Sequence, residues 1–201
     1  MTYDPLKHNR RSIRLKGYDY TQPEAYFVTL VAQNRECLFG EIAAGEMRIN
    51  RIGRIVERCW RDIPTHFSGA SLDGFVIMPN HLHGIILIQD CTGKASAAQG
   101  RKVSAGVEKR EQEFPHLNRA DASPQRPIGT QSGSLGAIIQ NFKSVSTRKI
   151  NQTPDSPGKK VWQRNYFERI VRNEGELNRI REYILNNPLQ WDMDRENQHR
   201  L

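Results

Sequence analysis

Apolar residues recur along this chain with two different periods, and the changes of period divide it into elements. Tyr26 to Ala32 reads YFVTLVA, a short β-branched and aromatic run that predicts a strand. Residues 36–50 carry two glycines between short apolar runs and predict a turn followed by a second strand near Met47 to Ile49. Ile52, Ile55, Val56, Cys59, Trp60 and Ile63 then fall at helical spacing, with Asn50 as the cap and Pro64 as the stop. The polar face of this helix holds Arg51, Arg54, Arg58 and Arg61. Residues 71–77 and 82–88 predict two strands joined at Met78-Pro79-Asn80, the second apolar enough to be central in a sheet.

From Gln89 to Gly133 no period persists, and Ala, Ser, Gly, Gln and Pro dominate, which predicts a flexible insertion between two halves. Ser134 caps a helix built on Leu135, Ile138, Ile139, Phe142 and Val145, made basic by Lys143, Arg148 and Lys149 and ended by Pro154 and Pro157. Val161 to Val171 predicts a strand. Glu174 or Glu176 opens a last helix with Leu177, Ile180 and Ile184 on its apolar face and Pro188 as its stop. The order strand, strand, helix, strand, strand, linker, helix, strand, helix predicts an α+β fold, a sheet covered by helices, and excludes a doubly wound parallel one. The expected domains are a basic N-terminal arm over residues 1–25 and a single domain over 26–201, interrupted by the insertion at 89–133.

Composition adds a partner and a compartment. Of 201 residues, 37% are hydrophobic and 26% charged, and no apolar run is long enough for a membrane span, so a cytoplasmic protein with no membrane partner is expected. Cys37, Cys59 and Cys91 are scattered, which excludes a zinc ribbon or a disulfide framework. The net charge of +8 points towards a phosphate backbone. Lys7, Arg10, Arg11, Arg14 and Lys16 cluster without an acid ahead of the first strand and form either a DNA-tracking arm or a solvated tail.

The candidate chemistry begins at Pro79-Asn80-His81-Leu82-His83. Histidines two apart on a strand share a face and can reach one divalent ion, while Leu82 points the other way into the core. Two ligands do not complete a site. The last helix offers Asn187 one turn beyond Tyr183, an amide oxygen suited to Mg²⁺ or Mn²⁺ beside a phenol able to reach a phosphate. The same spacing also fits a packing tyrosine and a helix C-cap.

These segments together carry a resemblance. PNHLHGI, then FKS within a helix, then VWQRNYFERIVRNEGELNRIREYILNNP, with RRSIRLKGYDY and YFVTLVAQNRECLFGEI before them, resemble the IS200-like tyrosine transposases, and most of all their REP-associated branch. Only the insertion lies outside the resemblance. It implies a ferredoxin-like or RRM-like antiparallel sheet, the HUH transposase fold, with His81 and His83 as metal ligands around Leu82, Asn187 completing the site and Tyr183 as the nucleophile. Tyr166 is the rival nucleophile.

The implied activity is metal-dependent cleavage and rejoining of single-stranded, hairpin-forming DNA through a 5′-phosphotyrosine, with Mg²⁺ or Mn²⁺ as cofactor, by a monomer or homodimer. Arg10, Arg11, Arg14, Lys16, Lys143 and Arg164 are the expected DNA contacts. Two alternatives stand beside it. One is a non-catalytic DNA- or RNA-binding protein that stacks bases on Tyr18, Tyr20, Tyr26 and Phe27. The other is a hydrolytic metallonuclease in which Tyr183 is structural.

Overall fold

The computed structural model describes residues 18–89, 131–154 and 156–197. The basic cluster at Arg10, Arg11, Arg14 and Lys16, and residues 90–130 of the expected insertion, lie outside them.

The six strands are β1 (Ala25–Val31), β2 (Gly40–Ala43), β3 (Glu46–Ile49), β4 (Ala70–Ile77), β5 (His81–Ile88) and β6 (Phe167–Val171). The helices are α1 (Arg51–Arg61), α2 (Ile63–His66), α3 (Leu135–Asn151) and α4 (Glu174–Asn186), followed by a 3-10 turn over Pro188–Met193. Strands β4, β5, β1 and β6 form the main sheet in that spatial order, every pair antiparallel, and β2 and β3 form a separate hairpin. Counting only the main-sheet strands in chain order, the spatial order is fourth, first, third, second. That is the ferredoxin-like arrangement of two interlocked strand–helix–strand halves, as expected. Elements from both sides of the insertion build this one unit.

Capping and register explain why the elements fall where they do. Asn50 accepts a hydrogen bond from the Gly53 amide, Ser134 from Ala137, and Asn173 from Glu176, so each long helix starts on a side-chain cap. The sheet then buries both faces. On one, Tyr26, Val28, Leu30, Leu82 and Ile86 meet Trp60 of α1 and Phe142 of α3 in the main core. On the other, Phe27, Ile85 and Val171 meet Leu177 and Ile184 of α4. Gly84 lets α1 approach, because a Cβ there would lie 2.4 Å from the Trp60 ring.

Several sequence expectations are corrected. Gly40–Ala43 is a strand that the glycine-rich run concealed. Pro64 does not stop α1, which ends at Arg61; it lies in the first turn of α2, where a missing amide hydrogen costs nothing. Pro188 does follow the end of α4 at its Asn187 C-cap, as expected, and also opens the 3-10 turn. The strand expected over Val161 to Val171 is regular only from Phe167. Before it, Trp162 makes a lone bridge to Ala32, and the carbonyls of Gln163 and Asn165 turn to the Lys143 ammonium instead of a neighbouring strand. No helix among the described residues is long and apolar enough to cross a membrane.

Candidate metal and tyrosine centre

The histidine pair sits on β5, on the sheet face that α4 covers. Leu82 between them is fully buried in the opposite core, as the alternation of a strand requires. His81 is fully buried and His83 nearly so. Their Nε2 atoms lie 3.0 Å apart. Desolvation holds both imidazoles neutral: His81 is pushed down to about 3, and His83 well below the usual range, with the neighbouring His81 as a second cause.

The residue beside the pair decides which ring nitrogen is free. The Asn80 side-chain amide donates to the Arg35 carbonyl (3.1 Å) and the Glu196 carbonyl (2.8 Å). Its Oδ1 is therefore left to accept, and it lies 2.8 Å from His81 Nδ1. The His81 Nδ1 proton points at Asn80, and the Nε2 lone pair faces the centre. His83 Nδ1 is 2.8 Å from the Thr29 hydroxyl, which is paired across the sheet at the same register. A hydroxyl both donates and accepts. When Thr29 donates, His83 Nε2–H satisfies His81. When Thr29 accepts, two Nε2 lone pairs face each other and need a cation between them.

That cation would find a carboxylate. Asp194, in the segment after the 3-10 turn, is buried, and its Oδ2 lies 3.9 Å from His81 Nε2. Ligand atoms of His81, His83 and Asp194 all lie within 4.8 Å of one another. Two donors about 2.1 Å from one octahedral ion, at right angles, are about 3.0 Å apart, which is the spacing of the two imidazoles. Asn187 is the C-cap of α4 and almost fully buried. Its amide nitrogen makes a long 3.5 Å contact with Asp194 Oδ2, and its Oδ1 is buried with no hydrogen-bond partner. An orphaned carbonyl oxygen beside a carboxylate and two neutral imidazoles is a donor set that fits a hard divalent cation.

Tyr183 completes the cluster. Its hydroxyl is 3.2 Å from His83 Nε2, and its ring meets both His83 and Phe27 edge-on. Tyr183 is 41% exposed, so the residue is open to an incoming strand. Burial and the Asp194 charge raise its pKa, so the phenol resists ionisation until positive charge arrives.

The other expected site residues lie elsewhere. Tyr166 packs against the main core under the Lys143 ammonium, 5.3 Å from its ring centre. Lys143 clamps the carbonyls before β6, while Arg164 is exposed. Tyr26 is fully buried, and Tyr18 and Tyr20 pack on the core, so the ring platform imagined for a base-stacking sheet is mostly spent inside the protein. Asp194, Thr29 and Asn80 are functional candidates that sequence reasoning missed. Only Asn80 had a local signal, as the residue that precedes the first histidine.

Residues 129–187, which hold α3, β6 and the tyrosine helix, match the family described as Transposase IS200 like. The chain belongs to the IS200-like transposases. The transposase is 42% identical over 196 residues to an uncharacterised protein of Haemophilus influenzae, a match covering 96% of this chain and 95% of the relative. Its fold is similar to that of a REP-associated tyrosine transposase solved bound to a REP hairpin, with a TM-score of 0.52 and 13% identity over 89% of this chain and 74% of that one.

Proposed function

We propose that this transposase cuts and rejoins single-stranded DNA through a 5′-phosphotyrosine, in the manner of the REP-associated branch, with residues 26–201 as one domain interrupted at 89–133. The observation that carries the reading is the Tyr183 hydroxyl, 3.2 Å from one of two buried, neutral histidines whose free nitrogens converge beside Asp194. His81, His83 and Asp194 would hold a divalent ion, Mg²⁺ or Mn²⁺, with the Asn187 carbonyl oxygen beside them. When bound, that ion polarises the scissile phosphate and offsets the charge that builds on it.

The chain supplies the remaining steps. Tyr183 presents its oxygen in line with the phosphorus; a Tyr–O–P bond forms and the bond from phosphorus to the 3′ oxygen breaks. The phenol proton is lost to solvent, and the departing oxygen takes one up as a 3′-hydroxyl. Attack by this or another 3′-hydroxyl on the phosphotyrosine reverses the step and joins DNA, with no external energy source. Phe27 and His83 hold the phenol in place through edge contacts, and the basic surface brings the strand in. The REP hairpin seen on the solved relative supports hairpin-forming DNA as the substrate.

A denaturing-gel assay for a covalent adduct tests the reading, using end-labelled hairpin DNA with Mg²⁺ or Mn²⁺. The expected result is a metal-dependent adduct that persists in Tyr166→Phe and disappears in Tyr183→Phe and in chelator. Cleavage without an adduct would replace it with hydrolysis, and loss only in Tyr166→Phe would move the nucleophile.

A further inference from the structure

The side of the fold that carries α3 holds a pocket of about 740 Å³ between α3 and the stretch from Lys160 to Arg164. Its rim carries Lys143, Arg148, Lys160 and Arg164, and no acidic side chain lines it. The neighbouring lysines are neutralised: Lys149 pairs with Asp62 at 3.7 Å, and Lys159 with Glu36 at 3.1 Å. Among the described residues Arg148, Lys160 and Arg164 form no ion pair, and all three are exposed. Cations that lie next to neutralised lysines yet keep their own charge, gathered around one concavity, form a focused positive field.

The pocket has a fixed wall and a fixed address. Lys143 pins the loop by donating to the carbonyls of Gln163 and Asn165. Trp162 forms the floor and is itself held by its indole hydrogen bond to Ser146 at 2.9 Å. The same stretch is tied to the end of β1, through Gln163 N to the Val31 carbonyl and Gln33 N to the Val161 carbonyl. Val31 is the residue that pairs with His81. The pocket and the histidine pair thus lie at the same end of the sheet, where β1 finishes.

We infer that this pocket takes the phosphodiester groups of the DNA strand flanking the cut, and so holds the substrate at a second point besides the reacting phosphate. The inference rests on the proposed action on DNA. Its volume suits a nucleotide-sized group. Gln163, Asn151 and Gln152 add amide groups at its rim, and Asn151 Oδ1 already accepts the Lys159 amide. Because the pocket touches the flank and not the reacting atoms, it acts on affinity and not on the bond-making step.

The test uses the full chain, labelled hairpin DNA with single-stranded flanks, and the double variant Arg148→Ala/Lys160→Ala. Arg54→Ala/Arg58→Ala on α1 controls for net charge, and Arg148→Lys/Lys160→Arg controls for folding. The expected result is about tenfold weaker binding, with the salt dependence of the dissociation constant reduced by about one to two charges. Single-turnover cleavage at saturating DNA stays within about twofold of the parent, and the charge-keeping variant binds like the parent. Unchanged affinity in Arg148→Ala/Lys160→Ala, while the parent binds and cleaves, overturns the pocket and leaves the reaction intact. An equal loss in Arg54→Ala/Arg58→Ala also overturns it. Displacement of DNA by inorganic phosphate at constant ionic strength, lost in the double variant, would make it a small-anion site instead. A parent chain that neither binds nor cleaves the DNA overturns the proposed function and the pocket with it.

Discussion

Arg181 grips Asp73 with two arms of its guanidinium, Nε to Oδ1 at 3.0 Å and Nη2 to Oδ2 at 2.6 Å. The pair joins α4, two residues before Tyr183, to the irregular step between Leu72 and Phe75 on β4. The two hydrogen bonds are the largest cause of a lowered pKa for the Asp73 carboxyl and a raised pKa for the Arg181 guanidinium, so both partners report the same interaction. A third arm reaches Glu174 and Asn178 within the helix. The fork fixes the rotation of the helix that aims the phenol. Arg181→Ala should slow single-turnover adduct formation about tenfold, with DNA affinity within about twofold, because misplacing a nucleophile costs rate more than binding. Exchanging the charges in Asp73→Arg/Arg181→Asp should restore part of the rate. A rate unchanged in Arg181→Ala would mean that Leu177, Ile180 and Ile184 hold the helix unaided.

Thr29 should matter to metal binding although it touches no metal. Replacing it with valine removes the hydroxyl placed to accept the His83 Nδ1 proton, so the tautomer that frees Nε2 loses its support. Outer-shell partners of ligating histidines are typically worth 10- to 100-fold in affinity, and Thr29→Val should weaken Mn²⁺ binding by about that much in a calorimetric titration. Thr29→Ser keeps the hydroxyl and should bind like the parent. Equal binding by Thr29→Val would show that His83 is oriented by its stack on Phe27 alone.

Burial of the histidine pair sets a pH dependence with a definite sign. In the unfolded chain an imidazole takes up a proton below about pH 6.5. In the folded chain His81 does so only at about 3, and His83 is also held far down. Across that window the unfolded chain binds more protons, so stability is complete above the unfolded value and falls as pH drops. In chelator, the melting midpoint should fall by at least about 3 °C between about pH 7 and about pH 5. The fall should be smaller in His81→Gln/His83→Gln. An equal fall in both proteins would show that the pair does not carry it.

Gly84 separates the histidines from the helix beneath them. With a Cβ position only 2.4 Å from the Trp60 ring, Gly84→Ala must displace a fully buried indole or bend β5. Overpacking of this kind costs about 1–3 kcal/mol. A chemical denaturation curve with an unchanged midpoint would show that Trp60 can move aside without strain.

Much of the centre was legible because its signals are local. HLH alternates across a strand, so two histidines facing one way and a leucine facing the other follow from the backbone period alone. Tyr183 and Asn187 share a helix face for the same kind of reason. What the alternation could not say is that His81 would be aimed by Asn80, or that Asn187 would leave its oxygen orphaned beside a carboxylate.

The sequence by itself determined most of the elements, the caps at Asn50 and Ser134, and the histidine and tyrosine positions, because periodicity and capping act between residues a few places apart; the ferredoxin-like order of halves was what the family resemblance implied. Only the tertiary structure decided the rest. Thr29 reaches His83 across 54 residues, and Asp73 reaches Arg181 across 108. Asp194 enters the centre only after Pro188 has turned the chain out of α4, and no helical or strand period links it to either histidine. Contacts of that range are chosen by sheet register and by which helix covers which face, and no short pattern of residue types encodes them.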